Sequence, residues 1–168
     1  MEREERLLWE MIQYYEGDPA RIQHFIKVHT FALAIGSAEG ISPELREILG
    51  AAALVHDIGI RVAEEKYGSS VGRLQEKEGP AAAEEMLRGL GYSEEVISRV
   101  CYLVGHHHTY TAIDGPDYQI LVEADFLVNL YEDSLNRRAV RSAYTKIFRT
   151  ESGKRLCRTM FRLEEEIA

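Results

Sequence analysis

AAALVHDIGIR, residues 51–61, is the stretch on which the reading of this chain turns. It closes the apolar run Ile48–Val55, delivers His56 and Asp57 side by side, and breaks at Gly59. A histidine beside an aspartate offers a nitrogen and an oxygen to one divalent cation, a mixed donor set that suits Mn, Fe, Co or Zn. Neither group rests well in apolar surroundings, because an unpaired buried carboxylate is heavily penalised. A helix that ends in such a pair needs compensating groups from elsewhere in the chain.

Working outward, the run 43–56 reads as a helix opened by Ser42-Pro43, and its neighbours read the same way. Asp18-Pro19, Gly79-Pro80 and Gly115-Pro116 each precede a helical pattern, so all four prolines are taken as helix openers, where the missing N–H is no loss. The patterning predicts helices near 3–16, 19–38, 43–56, 79–89, 93–105, 116–132, 137–149 and 152–166. No stretch alternates apolar and polar long enough to make a strand. The expectation is an all-α, compact helical bundle forming one domain over 1–168, with 19–132 as its core and basic helices over 137–166.

Composition narrows the function classes. The 168 residues are 45% hydrophobic and 29% charged, an ordinary globular balance. The longest apolar run falls far short of the ~20 residues that cross a bilayer. The start, MEREERLLWE, is acidic where a secretory signal is basic and then apolar. Cys101 and Cys157 lack any metal or redox spacing and read as reduced core thiols, so a cytoplasmic protein without membrane contact is expected. The net charge of −8 is uneven: residues 137–168 carry +5 and the remainder −13. The acidic body argues against nucleic acid as a partner. The basic end permits a phosphorylated ligand or a homodimer.

Four further segments carry polar groups in telling places. In 19–38, Ile22, Ile26, His29 and Leu33 share one stripe, so His29 reads as a hydrogen-bonded core residue. His24 lies at a stripe edge, one turn before Lys27, and both can face one polar cavity. This helix is apolar over most of its circumference and is placed through the middle of the fold. Residues 62–78 read as a long loop or short helices over the site, with Glu78 just ahead of the helix that Pro80 opens. GHHHTY places His106, His107 and His108 in succession, of which one or two can join a site. Asp125 stands on an apolar stripe with Leu121, Val122 and Val128, and a carboxylate there needs a cation or several donors.

Taken in order, His24, His56-Asp57 and Asp125 resemble the HD superfamily of metal-dependent phosphohydrolases, in HFIKV at 24–28, ALVHDIG at 53–59 and LVEADFL at 121–127. The resemblance implies that His24, His56, Asp57 and Asp125 hold a divalent ion, and it selects His24 over His29. The nearest likeness is to bacterial HD-type diadenosine tetraphosphate hydrolases, which hold a second ion with two more histidines. His107 stands 18 residues before Asp125, as the second of these does, while Glu78 replaces the first in Glu78-Gly79-Pro80.

The expected cofactor is therefore one or two divalent transition ions (Mn, Fe, Co or Zn, with Mg admissible), and the expected substrate is a nucleotide or another small phosphorylated metabolite. On this reading water activated by the metal attacks phosphorus. Asp57 bridges the ions if there are two, Lys27 and Arg61 meet the phosphate oxygens, and His106 or His108 protonates the leaving group. The alternatives are an HD-type di-iron oxygenase and a non-catalytic nucleotide-sensing module.

Overall fold

Short polar side chains start the helices. In the computed structural model, which describes residues 1–163, Asp18, Ser42, Ser93, Asn136 and Thr150 each accept a backbone N–H from the turn that follows. Pro19, Pro43 and Pro116 fill the first helical positions as expected. The order is α1 (Arg3–Tyr14), α2 (Pro19–Ala38), α3 (Pro43–Val55), α4 (Gly59–Tyr67), α5 (Gly72–Gly89), α6 (Glu94–Val104), α7 (Pro116–Glu132), α8 (Arg137–Lys146) and α9 (Glu151–Phe161). The described residues contain no strand, and the fold is all-α. The helix expected over 152–166 is α9; residues 164–166 lie outside the described residues. No described helix is long and apolar enough to cross a membrane.

The centre of the bundle is α3 rather than α2. Every residue from Ile48 to Val55 is buried, and α3 touches α1, α2, α6 and α7. Helix α2 buries the stripe Phe25, Val28, Ala32 and Ile35 against α3 and α7 and leaves its remaining faces half-covered. Leu49 and Leu54 are fully buried, and truncating such a residue to alanine costs about 2–5 kcal/mol. The apolar run therefore fixes where the helix end at His56 lies: inside the protein.

Of the two readings of residues 62–78, a long loop or short helices, the helical one holds. These residues form most of α4 and the first turns of α5, joined only through Gly68–Val71, with Gly68 in the left-handed conformation (φ +64°) that ends α4. Pro80 does not open a helix but lies inside α5. The reason is tertiary. A Cβ on Gly59 would stand 2.5 Å from the Gln75 carbonyl oxygen and 2.8 Å from the Gly79 nitrogen, so α4 and α5 meet backbone to backbone. Gly79 is closed in from the other side by Val104 of α6, and Cys101 Sγ donates to the Pro80 carbonyl at 3.4 Å. Packing between α4 and α6 carries α5 through a residue that removes one helical hydrogen bond.

The basic C-terminal region is partly engaged within the fold. Arg137 donates to the carbonyls of Phe161 and Arg162 at the end of α9, and Arg149 donates to those of Thr145 and Lys146 at the end of α8 and of Phe148 just after it. Guanidinium groups suit these helix ends, where carbonyls lack partners and the dipole is negative.

Candidate metal centre

Two helix ends present a histidine in the same way. His56 follows α3 and its Nδ1 lies 2.7 Å from the Ala53 carbonyl; His107 follows α6 and its Nδ1 lies 2.8 Å from the Val104 carbonyl. A carbonyl only accepts, so both Nδ1 atoms carry a hydrogen, and in the neutral ring each Nε2 holds the lone pair. His24 in α2 reaches the same state through α7, where Glu132 Oε1 lies 2.5 Å from its Nδ1. Each ring is thus turned by an oxygen behind it, the arrangement that orients histidines toward metals.

These nitrogens converge on two carboxylates. His24 Nε2 lies 3.2 Å from His56 Nε2, 3.2 Å from Asp57 Oδ2 and 3.1 Å from Asp125 Oδ1. His56 Nε2 lies 3.3 Å from Asp57 Oδ2 and 3.5 Å from Asp125 Oδ1. Donor atoms about 2.1 Å from one centre and roughly 90–110° apart are separated by about 3.0–3.4 Å. The other oxygen of Asp57 faces His107 Nε2 at 3.3 Å. That nitrogen is buried and has no hydrogen-bond partner among the described residues. Lone pairs facing one another at these distances repel unless a proton or a cation lies between them, and the donor set fits a divalent ion.

Protons fill that role when no cation does. Burial alone would depress the two rings, but the Asp57 and Asp125 carboxylates override it and push His24 up to about 11 and His56 up to about 10. Burial would likewise raise the carboxylates; His56, His107 and His24 instead hold Asp57 well below its usual range, and His24 and His56 do the same to Asp125. Asn129, one turn after Asp125, donates to its Oδ1 at 3.0 Å.

The backbone of the pair is held from the end of α1 and the residue that follows it. The Tyr15 hydroxyl donates to the Asp57 carbonyl at 2.6 Å, and the Tyr14 hydroxyl donates to the Ile58 carbonyl at 3.2 Å. The Asp57 carbonyl also accepts from the Ile60 N–H at 3.1 Å, so the Tyr15 hydroxyl is its second donor at the break between α3 and α4. His56 and His107 are fully buried, whereas the side chains of His24 and Asp57 keep 12% and 16% of their surface, so the cluster opens to solvent on their side. Two groups share Asp57: His24, His56 and Asp57, and Asp57, His107 and His108, each with its donor atoms within 4.8 Å of one another.

Residues 21–143 match the family described as the HD domain. The chain belongs to the HD-domain family. A crystal structure of a predicted HD superfamily hydrolase from an uncultured Thermotogales bacterium is similar over 97% of this chain and 87% of that one. It is 24% identical, with a TM-score of 0.67, and the likeness is one of fold. No curated protein matches the chain.

Within this HD domain the residues anticipated for the site divide. His24, His56, Asp57, Asp125, His107 and His108 are brought together. Glu78 is not: its carboxylate accepts from Lys66 Nζ at 2.8 Å and from the Tyr67 hydroxyl at 2.7 Å, both at the end of α4. Arg61 is not: its guanidinium donates to Glu65 and to the Tyr14 carbonyl and lies over the Tyr14 ring. His106 stacks on Tyr102 with its Nδ1 at the Tyr102 carbonyl. Lys27 stands at the edge, 3.2 Å from the second oxygen of Glu132. His108 sits inside, where burial first and His107 second push it down to about 4 and keep it neutral.

Glu132, Asn129, Tyr15 and Gln75 join the surroundings of the centre without having been anticipated. Asp125, Asn129 and Glu132 follow one another at helical spacing on one face of α7, a signal the sequence carries. Tyr15 and Gln75 come from other elements, and no local pattern marks them.

Proposed function

We propose that this HD-domain protein is a metal-dependent phosphohydrolase acting on a nucleotide or another small phosphorylated metabolite. One observation supports the reading above all: His24, His56 and His107 each have Nδ1 engaged by an oxygen behind the ring, and their Nε2 atoms point at Asp57 and Asp125. His24, His56, Asp57 and Asp125 would hold one ion, and Asp57, His107 and His108 a second. Bound there, a divalent cation supplies Lewis acidity toward a water and a phosphoryl oxygen.

The chain's own side chains do the rest. Glu132 holds His24 in its ligating tautomer and keeps Lys27 beside the open edge, where its ammonium meets an incoming phosphate. Asp57 and His24, the exposed members of the cluster, face the substrate. His106, stacked away on Tyr102, and Arg61, on the Tyr14 side, have no part in this reading, and His108 serves as a ligand rather than as an acid.

The test is product release from nucleotides, dinucleotides and sugar phosphates in the presence of Mn, Fe(II), Co, Zn or Mg, with His56→Ala alongside. Metal-dependent release of phosphate or a nucleotide by the native chain, and none by the variant, is the expected result. Oxygen uptake without such release would replace the proposal with the oxygenase reading.

A further inference from the structure

We infer that Gln75 fixes His108 in the tautomer that turns a bare Nδ1 toward Asp57 and His107, so that His108, not Glu78, completes the second ion's ligands. The inference rests on the metal-binding part of the function proposed above and is independent of which bond is hydrolysed.

The argument is a chain of obligatory hydrogen-bond roles. Gln75 Nε2 donates to the Ser70 carbonyl at 2.5 Å, which settles the orientation of the amide, since a carbonyl only accepts. Gln75 Oε1 then stands 2.9 Å from His108 Nε2. An amide oxygen has nothing to donate, so the hydrogen belongs to His108 Nε2. A neutral imidazole carries one N–H, and Nδ1 is left with its lone pair. His108 is therefore the mirror of His24, His56 and His107, whose hydrogens sit on Nδ1.

The placement of the ring agrees. A Cβ on Gly72 would meet Cγ, Cβ and Cδ2 of His108 at 3.2–3.3 Å, so the Cδ2 edge lies against α5 and the Nδ1 edge faces away from that contact. The backbone is fixed from the same turn of α5: Glu76 Oε1 accepts from the His108 N–H at 2.9 Å and from the Thr109 hydroxyl at 3.0 Å. His107 and His108 lie 4.0 Å apart between ring centroids, and the fully buried His107 Nε2 points into the same space without a hydrogen-bond partner among the described residues. Glu78, three residues beyond Gln75, has its carboxylate occupied by Lys66 and Tyr67. Position 78 has lost its ligand and position 108 supplies one, held by a glutamine one turn before position 78.

Two measurements test this. The first counts Mn(II) or Co(II) ions per chain by elemental analysis after loading and gel filtration. Two ions are expected in the native chain, two in Glu78→Gln, one in His108→Ala, and two in Gln75→Glu, which keeps an acceptor for Nε2–H. In Gln75→Leu the second ion is expected to bind 10–100-fold more weakly, while the retained first ion reports a folded chain. The second reads the histidine tautomers of the metal-free chain by 15N NMR. His108 is expected as the Nε2–H form in the native chain and as a mixture or the Nδ1–H form in Gln75→Leu. Two ions in His108→Ala, one ion in Glu78→Gln, one ion in the native chain, or a native His108 protonated on Nδ1 each overturns the inference. A native chain that takes up no ion overturns the metal-binding reading itself, and ion uptake without phosphate release overturns only the reaction.

Discussion

Glu132 Oε1 lies 2.5 Å from His24 Nδ1, and its second oxygen lies 3.2 Å from Lys27 Nζ, so one carboxylate at the end of α7 ties a metal-facing ring to the nearest cation. Without it the His24 ring is free to rotate and to carry its hydrogen on either nitrogen. Glu132→Ala is expected to lower metal affinity about 10–100-fold while leaving the helical signal intact. Chelator competition followed by circular dichroism checks both halves.

Metal uptake is expected to strengthen as pH rises across neutrality. In the metal-free chain His24 and His56 hold protons up to about 11 and about 10, and a cation must displace them. Each displaced proton contributes about a tenfold gain in affinity per pH unit, and titration calorimetry in buffers of different ionisation enthalpy counts the protons released.

The same rings set the pH profile of metal-free stability. Their folded values stand above the ordinary 6.5, so their contribution is full below about 6.5 and fades as pH climbs toward 10. Asp57 and Asp125 stand below the ordinary 3.8, so their contribution is present above it and is lost as pH falls further. Urea denaturation of the metal-free chain should give a maximum between about pH 4 and 6.5. Metal-loaded protein should be more stable on the alkaline side of that window.

Gly59→Ala is expected to destabilise the fold by about 3 kcal/mol, because the added methyl meets the backbone of Gln75 and Gly79, which cannot swing aside. Gly89→Ala, with nothing within 4 Å of the new Cβ, should leave stability unchanged or raise it by about 0.5 kcal/mol. Paired thermal melts of the two variants separate a steric clash from a general effect of helix propensity.

Tyr15→Phe removes the 2.6 Å hydrogen bond to the Asp57 carbonyl, which keeps its bond from the Ile60 N–H, so the cost is that of one hydrogen bond, about 1 kcal/mol. Burial raises the Tyr15 hydroxyl above its usual value, so it remains a donor across the working pH range. Tyr14→Phe, at the longer 3.2 Å contact with Ile58, should cost less. Denaturant midpoints order the two.

Much of this was legible locally. Asp18 and Ser42 ahead of their prolines marked helix starts, because capping is a contact between neighbours in sequence. His56, Asp57 and Asp125 could be read because apolar helices carried them inward, where a bare polar group demands a partner; His24, at the edge of its stripe, was selected over His29 by the family resemblance. Gly79-Pro80 misled for the opposite reason: what keeps α5 continuous is the approach of Gly59 and Val104 from distant segments. Arg61 was assigned by proximity in sequence, yet a helix turns successive side chains through about 100°; Glu78 was assigned from the resemblance of Glu78-Gly79-Pro80 to a family segment, and its carboxylate meets Lys66 and Tyr67. Glu132 was available from the spacing of α7 alone.

Tyr14 and Tyr15, at the end of α1 and just after it, give this domain an anatomy that its family boundaries do not follow. The matching segment begins at residue 21, after the two tyrosines whose hydroxyls hold the Asp57 and Ile58 carbonyls. A fragment trimmed to residues 21–143 would retain every side chain of the two donor groups and lose the clamp beneath them. Such a piece would be complete in its chemistry and unsupported in its backbone.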